Sequence, residues 1–181
     1  MNIGFDLDNT LIDLDVNKYL VNHFNYHSHK SEVMDWDYST FPKEIKDIIF
    51  DLFKANTFMC GDNIQPFPNV QDKVKELSKQ HNIILITARN ENLTEGTIKL
   101  VNKFFPEIKD INLVGFNMSK KDLFKEKKLD LWIDDSPHGV KDSIDLNIKT
   151  HLISNDNTKY NWIARDLKDI NIHECVSKID I

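Results

Sequence analysis

Short apolar runs alternate along the chain with segments of helical period, and each run stops on or beside polar residues. Five runs read as strands: Ile3 to Asp6, Ile83 to Thr87, Ile111 to Phe116, Leu131 to Asp134 and Thr150 to Ser154. Parallel strands can only be joined by a long return path, so brief apolar runs separated by helical stretches are the pattern that a parallel sheet and its crossover helices leave in a sequence. The intervening segments have suitable boundaries. Pro68-Asn69 leads into Val70 to Gln80, Pro106 stops Thr94 to Phe105, and Ser119-Lys120-Lys121-Asp122 resembles a capping box. A further helix is expected after Pro137, with Trp162 to Leu167 and His173 to Ile179 as helical pieces closing the chain. The pattern predicts an α/β fold with a five-stranded parallel sheet flanked by helices.

One region breaks the rhythm. About 60 residues separate the first strand from the next, with no strand-like run between Asp13 and Pro66, and a single crossover does not need that length. Its apolar positions recur with helical spacing: Tyr19, Leu20, His23 and Phe24, then Ile45, Ile48, Ile49, Leu52 and Phe53. Residues 13–67 are therefore expected to form a small helical cap inserted after the first strand, with residues 1–12 and 68–181 as the core.

Composition narrows the function classes. The 181 residues, 40% of them hydrophobic, suffice for a full core with one elaborated insertion. With 29 acidic against 23 basic residues the formal charge is −6, which disfavours a long nucleic acid as partner. Cys60 and Cys175 match no zinc or redox spacing, and a reducing compartment suits them. Met1 to Phe5 runs directly into a strand without a signal-peptide pattern, and no apolar stretch is long enough to span a bilayer. A cytoplasmic protein without a membrane partner is expected. A homodimer is compatible with the chain, whose sequence does not fix the oligomeric state.

In open parallel sheets the ligand sits beyond the carboxyl ends of the strands, so the residues ending each run are where chemistry is sought. Asp6 and Asp8 follow the first run, Thr87 ends the second, Ser119 and Lys120 follow the third, and Asp134-Asp135 ends the fourth. Taken in order, Asp6-Leu7-Asp8-Asn9-Thr10, Thr87, Lys120 and Trp132-Ile133-Asp134-Asp135-Ser136-Pro137 resemble the four motifs of the haloacid dehalogenase superfamily. The resemblance implies a Rossmann-like core and a magnesium-dependent phosphomonoester hydrolase. Asp6 would be the nucleophile, forming an aspartyl-phosphate, and Asp8 the general acid and base. Mg2+ would be held by Asp6, Asp134 and the backbone carbonyl of Asp8. Thr87 and the backbone at Ala88 would bind phosphate, Lys120 would neutralise it, and Thr10 and Asp135 would support the site.

The chemistry explains why these residue types belong together. An anionic nucleophile approaches an anionic phosphate only if cations neutralise the oxygens. The proton donor must be protonated in the first half of the reaction and ionised in the second, as a carboxyl group can be. Mg2+ prefers hard oxygen ligands and needs only one or two carboxylates. Plainer readings stand beside these: Asp134 and Asp135 as turn residues before Pro137, Thr87 as an ordinary β-branched strand residue, and Lys121 in place of Lys120.

Within the superfamily the chain most resembles the cytosolic-type 5′(3′)-deoxyribonucleotidases. The resemblance rests on Thr57-Phe58-Met59, Pro66-Phe67-Pro68-Asn69-Val70, Leu85-Ile86-Thr87-Ala88-Arg89, the Trp132 to Pro137 motif and Tyr160-Asn161. It implies a small phosphate ester as substrate, a nucleoside monophosphate whose base stacks on aromatic cap residues. Phe58 matches such a position, Trp36, Tyr38 and Phe41 are further candidates, and each can equally be core packing. Arg89 would reach a phosphate or sugar, or tie its loop to Glu91. The competing functions are a phosphatase for sugar or other small phosphate esters, and a non-catalytic domain that binds a nucleotide or a protein.

Overall fold

The structure is a computed structural model and describes residues 1–116, 118–168 and 170–181. The first half contains β1 (Asn2–Phe5), β2 (Ile12–Asp13), α1 (Val16–Phe24), α2 (Lys30–Val33), α3 (Lys43–Leu52), α4 (Asn56–Met59), β3 (Gln65–Pro66), α5 (Val70–Ser78) and β4 (Asn82–Thr87). The second half contains α6 (Thr94–Phe104), β5 (Asp110–Leu113), α7 (Lys121–Glu126), β6 (Leu131–Asp134), α8 (Pro137–Ile144), β7 (Lys149–Ile153) and β8 (Ile170–His173).

The central strands read as unbroken apolar runs because both of their faces are covered. Side chains alternate between the two faces with period two. Ile3, Phe5, Ile83, Leu85, Leu131 and Ile133 join one buried cluster. The alternate positions Ile84, Ile86 and Trp132 join another with Phe124 and Leu129. Helix α5 docks on the first face through Val70, Val74 and Leu77, the stripe its sequence predicts.

The strands form a six-stranded sheet in the order β5-β4-β1-β6-β7-β8, with every pairing parallel. The sequence pattern gave five. The sixth strand, β8, pairs with β7 from Thr150↔Ile170 to Ile153↔His173. It escapes notice because it is short, covers an edge and leaves Ile172 48% exposed, so its pairing depends on β7 and not on an apolar run of its own. The third run also stops early, at Leu113. Beyond it the backbone N–H groups of Val114 and Gly115 donate to the carbonyls of Thr87 and Arg89, and Gly115 turns the chain at φ +94°.

From β1 the chain builds outward through β4 and β5, and from β6 through β7 and β8 in the opposite direction. The reversal opens a crevice above the carboxyl ends of β1 and β6, the place where such sheets bind ligands. The segment returning over it leaves and re-enters through a small antiparallel ribbon, Ile12↔Pro66 and Asp13↔Gln65. Within it Leu20, Phe41 and Ile49 make a separate apolar cluster. Phe58 and Met59 of α4 join the main core.

Candidate active site

The pairing of β1 with β6 continues one residue further, the Asp6 N–H donating to the Ile133 carbonyl at 2.9 Å. That register places Asp6 and Asp134 side by side at the crevice. Asn9 takes the left-handed conformation, φ 57°, and the chain folds back so that the N–H groups of Leu11 and Ile12 donate to Leu7. Thr10 is thereby turned inward. Its hydroxyl donates to Asp135 Oδ1 at 2.9 Å and accepts from the Asp135 N–H at 3.1 Å, which ties the loop after β1 to the end of β6.

Lys120 bridges the two strand ends. Its Nζ lies 2.6 Å from Asp6 Oδ1 and 3.1 Å from Asp134 Oδ2, and only 4% of the residue is exposed. Asp142 sets the lysine in place by accepting from the Ser119 hydroxyl and the Lys120 N–H, both at 2.8 Å. Lys121, its neighbour, points outward to Asp145 at 2.7 Å. Asp134 is completely buried and accepts from the Trp132 indole N–H at 2.9 Å and the Ser136 N–H at 2.7 Å. It needs room on its far side, and Gly139 supplies it: a Cβ there would overlap Asp134 Oδ2.

Asp6, Asp134 and Asp135 bring carboxylate oxygens within 4.8 Å of one another, all buried, and the Lys120 ammonium contacts the first two. Burial, with Asp134 and Asp8 nearby, pushes the Asp6 carboxyl up to about 7 even though Lys120 opposes the shift. Burial likewise raises Asp135 well above the usual carboxylate range, with Asp134 and Asp6 adding to it against the hydrogen bonds from Tyr160 and Thr10. For Lys120, burial acts against the ammonium, but the Asp134 and Asp6 carboxylates outweigh it and raise its proton affinity. The cluster is short of positive charge, and its donors are hard oxygens. Both features fit Mg2+.

Asp6, Lys120 and Asp135 line a cavity of about 480 Å3, with Asp134 buried behind them. Asp8, Thr87 and Ala88 line it too, together with the aromatic residues Trp36, Tyr38, Phe53 and Phe116. Thr87 is buried, its Oγ1 3.4 Å from the Arg89 N–H. Phe58 stands elsewhere, contrary to expectation. It is 4% exposed, meets Tyr19 edge-on at 4.7 Å and belongs to the main core. Phe41 is similarly held inside the apolar cluster of the inserted segment. Arg89 makes two bonds to Asp8, Nε to Oδ2 at 2.9 Å and Nη2 to Oδ1 at 2.7 Å, in place of the expected tie to Glu91.

Several residues at the site were not singled out from sequence. Tyr160 donates to Asp135 Oδ2, accepts from the Asn9 side chain at 3.1 Å and faces Trp36 with ring centroids 5.8 Å apart. His138 meets the same indole at 5.2 Å. Tyr160-Asn161 carried a signal only as part of the family resemblance, and a glycine in the first turn of a helix, as at Gly139, is the one local oddity that marks α8.

Residues 1–175 match the family described as 5′ nucleotidase, deoxy (Pyrimidine), cytosolic type C protein. A Bacillus cereus protein with the provisional name of nucleotidase is 32% identical over 148 residues, 76% of this chain and 77% of that one. A haloacid dehalogenase-like hydrolase from Streptococcus pneumoniae has a TM-score of 0.59 at 15% identity, covering 95% of this chain and 93% of that chain. A protein from Lactobacillus delbrueckii, provisionally named a phosphoglycolate phosphatase, has a TM-score of 0.68 at 13% identity, covering 98% and 95%. At such identities the solved structures speak for the fold alone. The fold is that of the haloacid dehalogenase-like hydrolases, and the family match gives the class, a nucleotidase. Within that class the chain belongs to the family of cytosolic-type deoxy 5′-nucleotidases, enzymes of the phosphatase and nucleotidase kind.

Proposed function

We propose that the protein is a magnesium-dependent phosphomonoesterase that dephosphorylates nucleoside monophosphates, deoxynucleotides foremost, through a phosphoryl group carried on Asp6. The observation that carries this reading is the Asp6–Lys120 pair, backed by the buried Asp134, in the lining of a cavity that also has aromatic walls. The charged residues suit an anion and the aromatic ones a planar base.

Asp6, Asp134 and the backbone carbonyl of Asp8 would hold the Mg2+, with Asp135 next to them. When bound, the ion would offset the charge of the phosphate oxygens, so that a carboxylate and a phosphate can approach one another. Lys120 adds a fixed positive charge on the same side, and Thr87 with the backbone at Ala88 binds a phosphate oxygen. Asp6 attacks phosphorus while Asp8 protonates the departing ester oxygen. Asp8 then takes a proton from the water that releases phosphate. Trp36 and Tyr38 are the residues we assign to the base, and Thr10 and Asp135 hold the loop that carries Asp8.

The remaining assignments follow from the same reading. Residues 13–67 act as the cap. The family's cytosolic character and two free cysteines support the cytoplasm, and a homodimer stays compatible with the chain. No helix among the described residues is long and apolar enough to cross a membrane.

The test is phosphate release from a panel of nucleoside monophosphates and sugar phosphates, with and without Mg2+. Magnesium-dependent release from nucleotides, abolished in Asp6→Asn, is the expected result. A flat response to nucleotides with rapid turnover of a sugar phosphate would assign the enzyme a different ester.

A further inference from the structure

Arg89 follows Thr87 by two residues, close enough to suggest a substrate contact, yet its guanidinium is already committed. Nε and Nη2 form a two-pronged pair with Asp8, and Nη1 lies 3.2 Å from both Thr97 Oγ1 and Cys60 Sγ. A guanidinium has five N–H donors. Four are accounted for here, and Arg89 is only 3% exposed. The anchors behind it come from two elements, Thr97 from α6 and Cys60 from the end of α4. They meet because Gly96 has no side chain: a Cβ there would lie 2.9 Å from Cys60 Sγ.

We propose that Arg89 is a positioning residue that acts on the reaction through Asp8, fixing the orientation of the proton-transferring carboxylate, and is not a ligand of the substrate. The inference rests on the phosphatase reading above. A carboxylate is nearly free to turn about its last bond, whereas proton transfer needs a donor within hydrogen-bond reach of one particular oxygen. A planar fork holding both oxygens removes that freedom, which a lysine with a single point of contact does not. As Asp6 bonds to phosphorus, the ester P–O bond breaks and its electron pair goes to the leaving oxygen, which takes the proton of Asp8. In the second half the oxygen of a water molecule bonds to phosphorus, the Asp6–phosphorus bond breaks, and Asp8 receives the water proton. In both halves Asp8 must face the same small region, and Arg89 aims it there.

The proposal separates esters by leaving group. An alkoxide needs a proton as it departs, while the p-nitrophenolate of p-nitrophenyl phosphate scarcely does. Arg89→Met should lower kcat/KM, which reports the steps up to departure of the leaving group, by roughly 10- to 100-fold for a deoxynucleoside monophosphate, and the loss on p-nitrophenyl phosphate should be at least about tenfold smaller. Arg89→Lys should recover part of the loss, and Arg89→Met in an Asp8→Asn background should cost little more than Asp8→Asn alone. A large rise in KM on both esters would make Arg89 a substrate ligand, and equal losses in kcat/KM on both would make its role merely structural; either overturns the proposal. If Arg89→Met does not fold, Thr97→Val, which removes one anchor and keeps the arginine, must show the same leaving-group dependence in weaker form. Absence of magnesium-dependent hydrolysis by the unmodified protein would instead overturn the phosphatase reading, and this proposal with it.

Discussion

The two adjacent lysines show how much a single side chain's surroundings decide. Lys120 sits among buried carboxylates, and Lys121 lies in solvent against Asp145. Replacing Lys120 by Met leaves Asp6 and Asp134 buried without a counter-charge, and in the absence of magnesium should cost about 3–5 kcal/mol. Lys121→Met removes a surface pair and should leave the urea midpoint close to that of the unmodified protein. Urea denaturation of both variants checks this. Gly139 makes a complementary prediction. Gly139→Ala has no space beside Asp134 Oδ2, so the carboxylate must move; we expect loss of most phosphatase activity and destabilisation of roughly 1–3 kcal/mol, read by turnover and thermal melting. At this scale the sequence identified acids at strand ends but not their neighbours. Asp6, Asp134 and Thr87 stand out because polar residues end apolar runs. Trp132, Tyr160 and Gly139 act through contacts between elements, which spacing does not reveal, and Phe58 turned inward because α4 packs on the core.

Among the elements, β8 is the least legible and the most exposed to acid. His151 on β7 and His173 on β8 stack with ring centroids 4.8 Å apart and share a contact of 2.8 Å between Nδ1 and Nε2. Burial, with His173 and Lys149 nearby, pushes His151 down to about 4, and burial lowers His173 too, against the pull of Asp180. The ordinary value is 6.5, so between these limits the unfolded chain binds a proton that the folded chain refuses. The contribution is fully present above about pH 6.5 and is lost as pH falls towards about 4. His151→Gln should therefore show a shallower decline of the urea midpoint between pH 7.5 and 5 than the unmodified protein; parallel declines would contradict this role. The alternation of strands and helices was otherwise readable because five strands carry their own apolar runs. β8 does not, and the His pair that joins it to β7 lies more than twenty residues apart in sequence.

For the whole molecule, topology assembles the site. Strand order β5-β4-β1-β6-β7-β8 reverses between β1 and β6, bringing Asp6 and Asp134 together although 128 residues separate them. The parallel sheet was evident from hydrophobic period, while the aromatic wall of the cavity depends on how residues 13–67 fold back. A metal held by these carboxylates binds the folded chain only, so it must stabilise it. Mg2+ at about 100 times its dissociation constant should add about 2.7 kcal/mol, and Asp134→Asn should abolish the gain. Thermal melting with and without the ion decides it. The most direct test of the reaction itself is to mix the protein with a deoxynucleoside monophosphate and Mg2+, quench in acid, and weigh the peptide containing Asp6. A peptide heavier by one phosphoryl group, with the modification at Asp6 and absent without Mg2+, is the predicted result; turnover with no phosphoryl group ever found on Asp6 would contradict it.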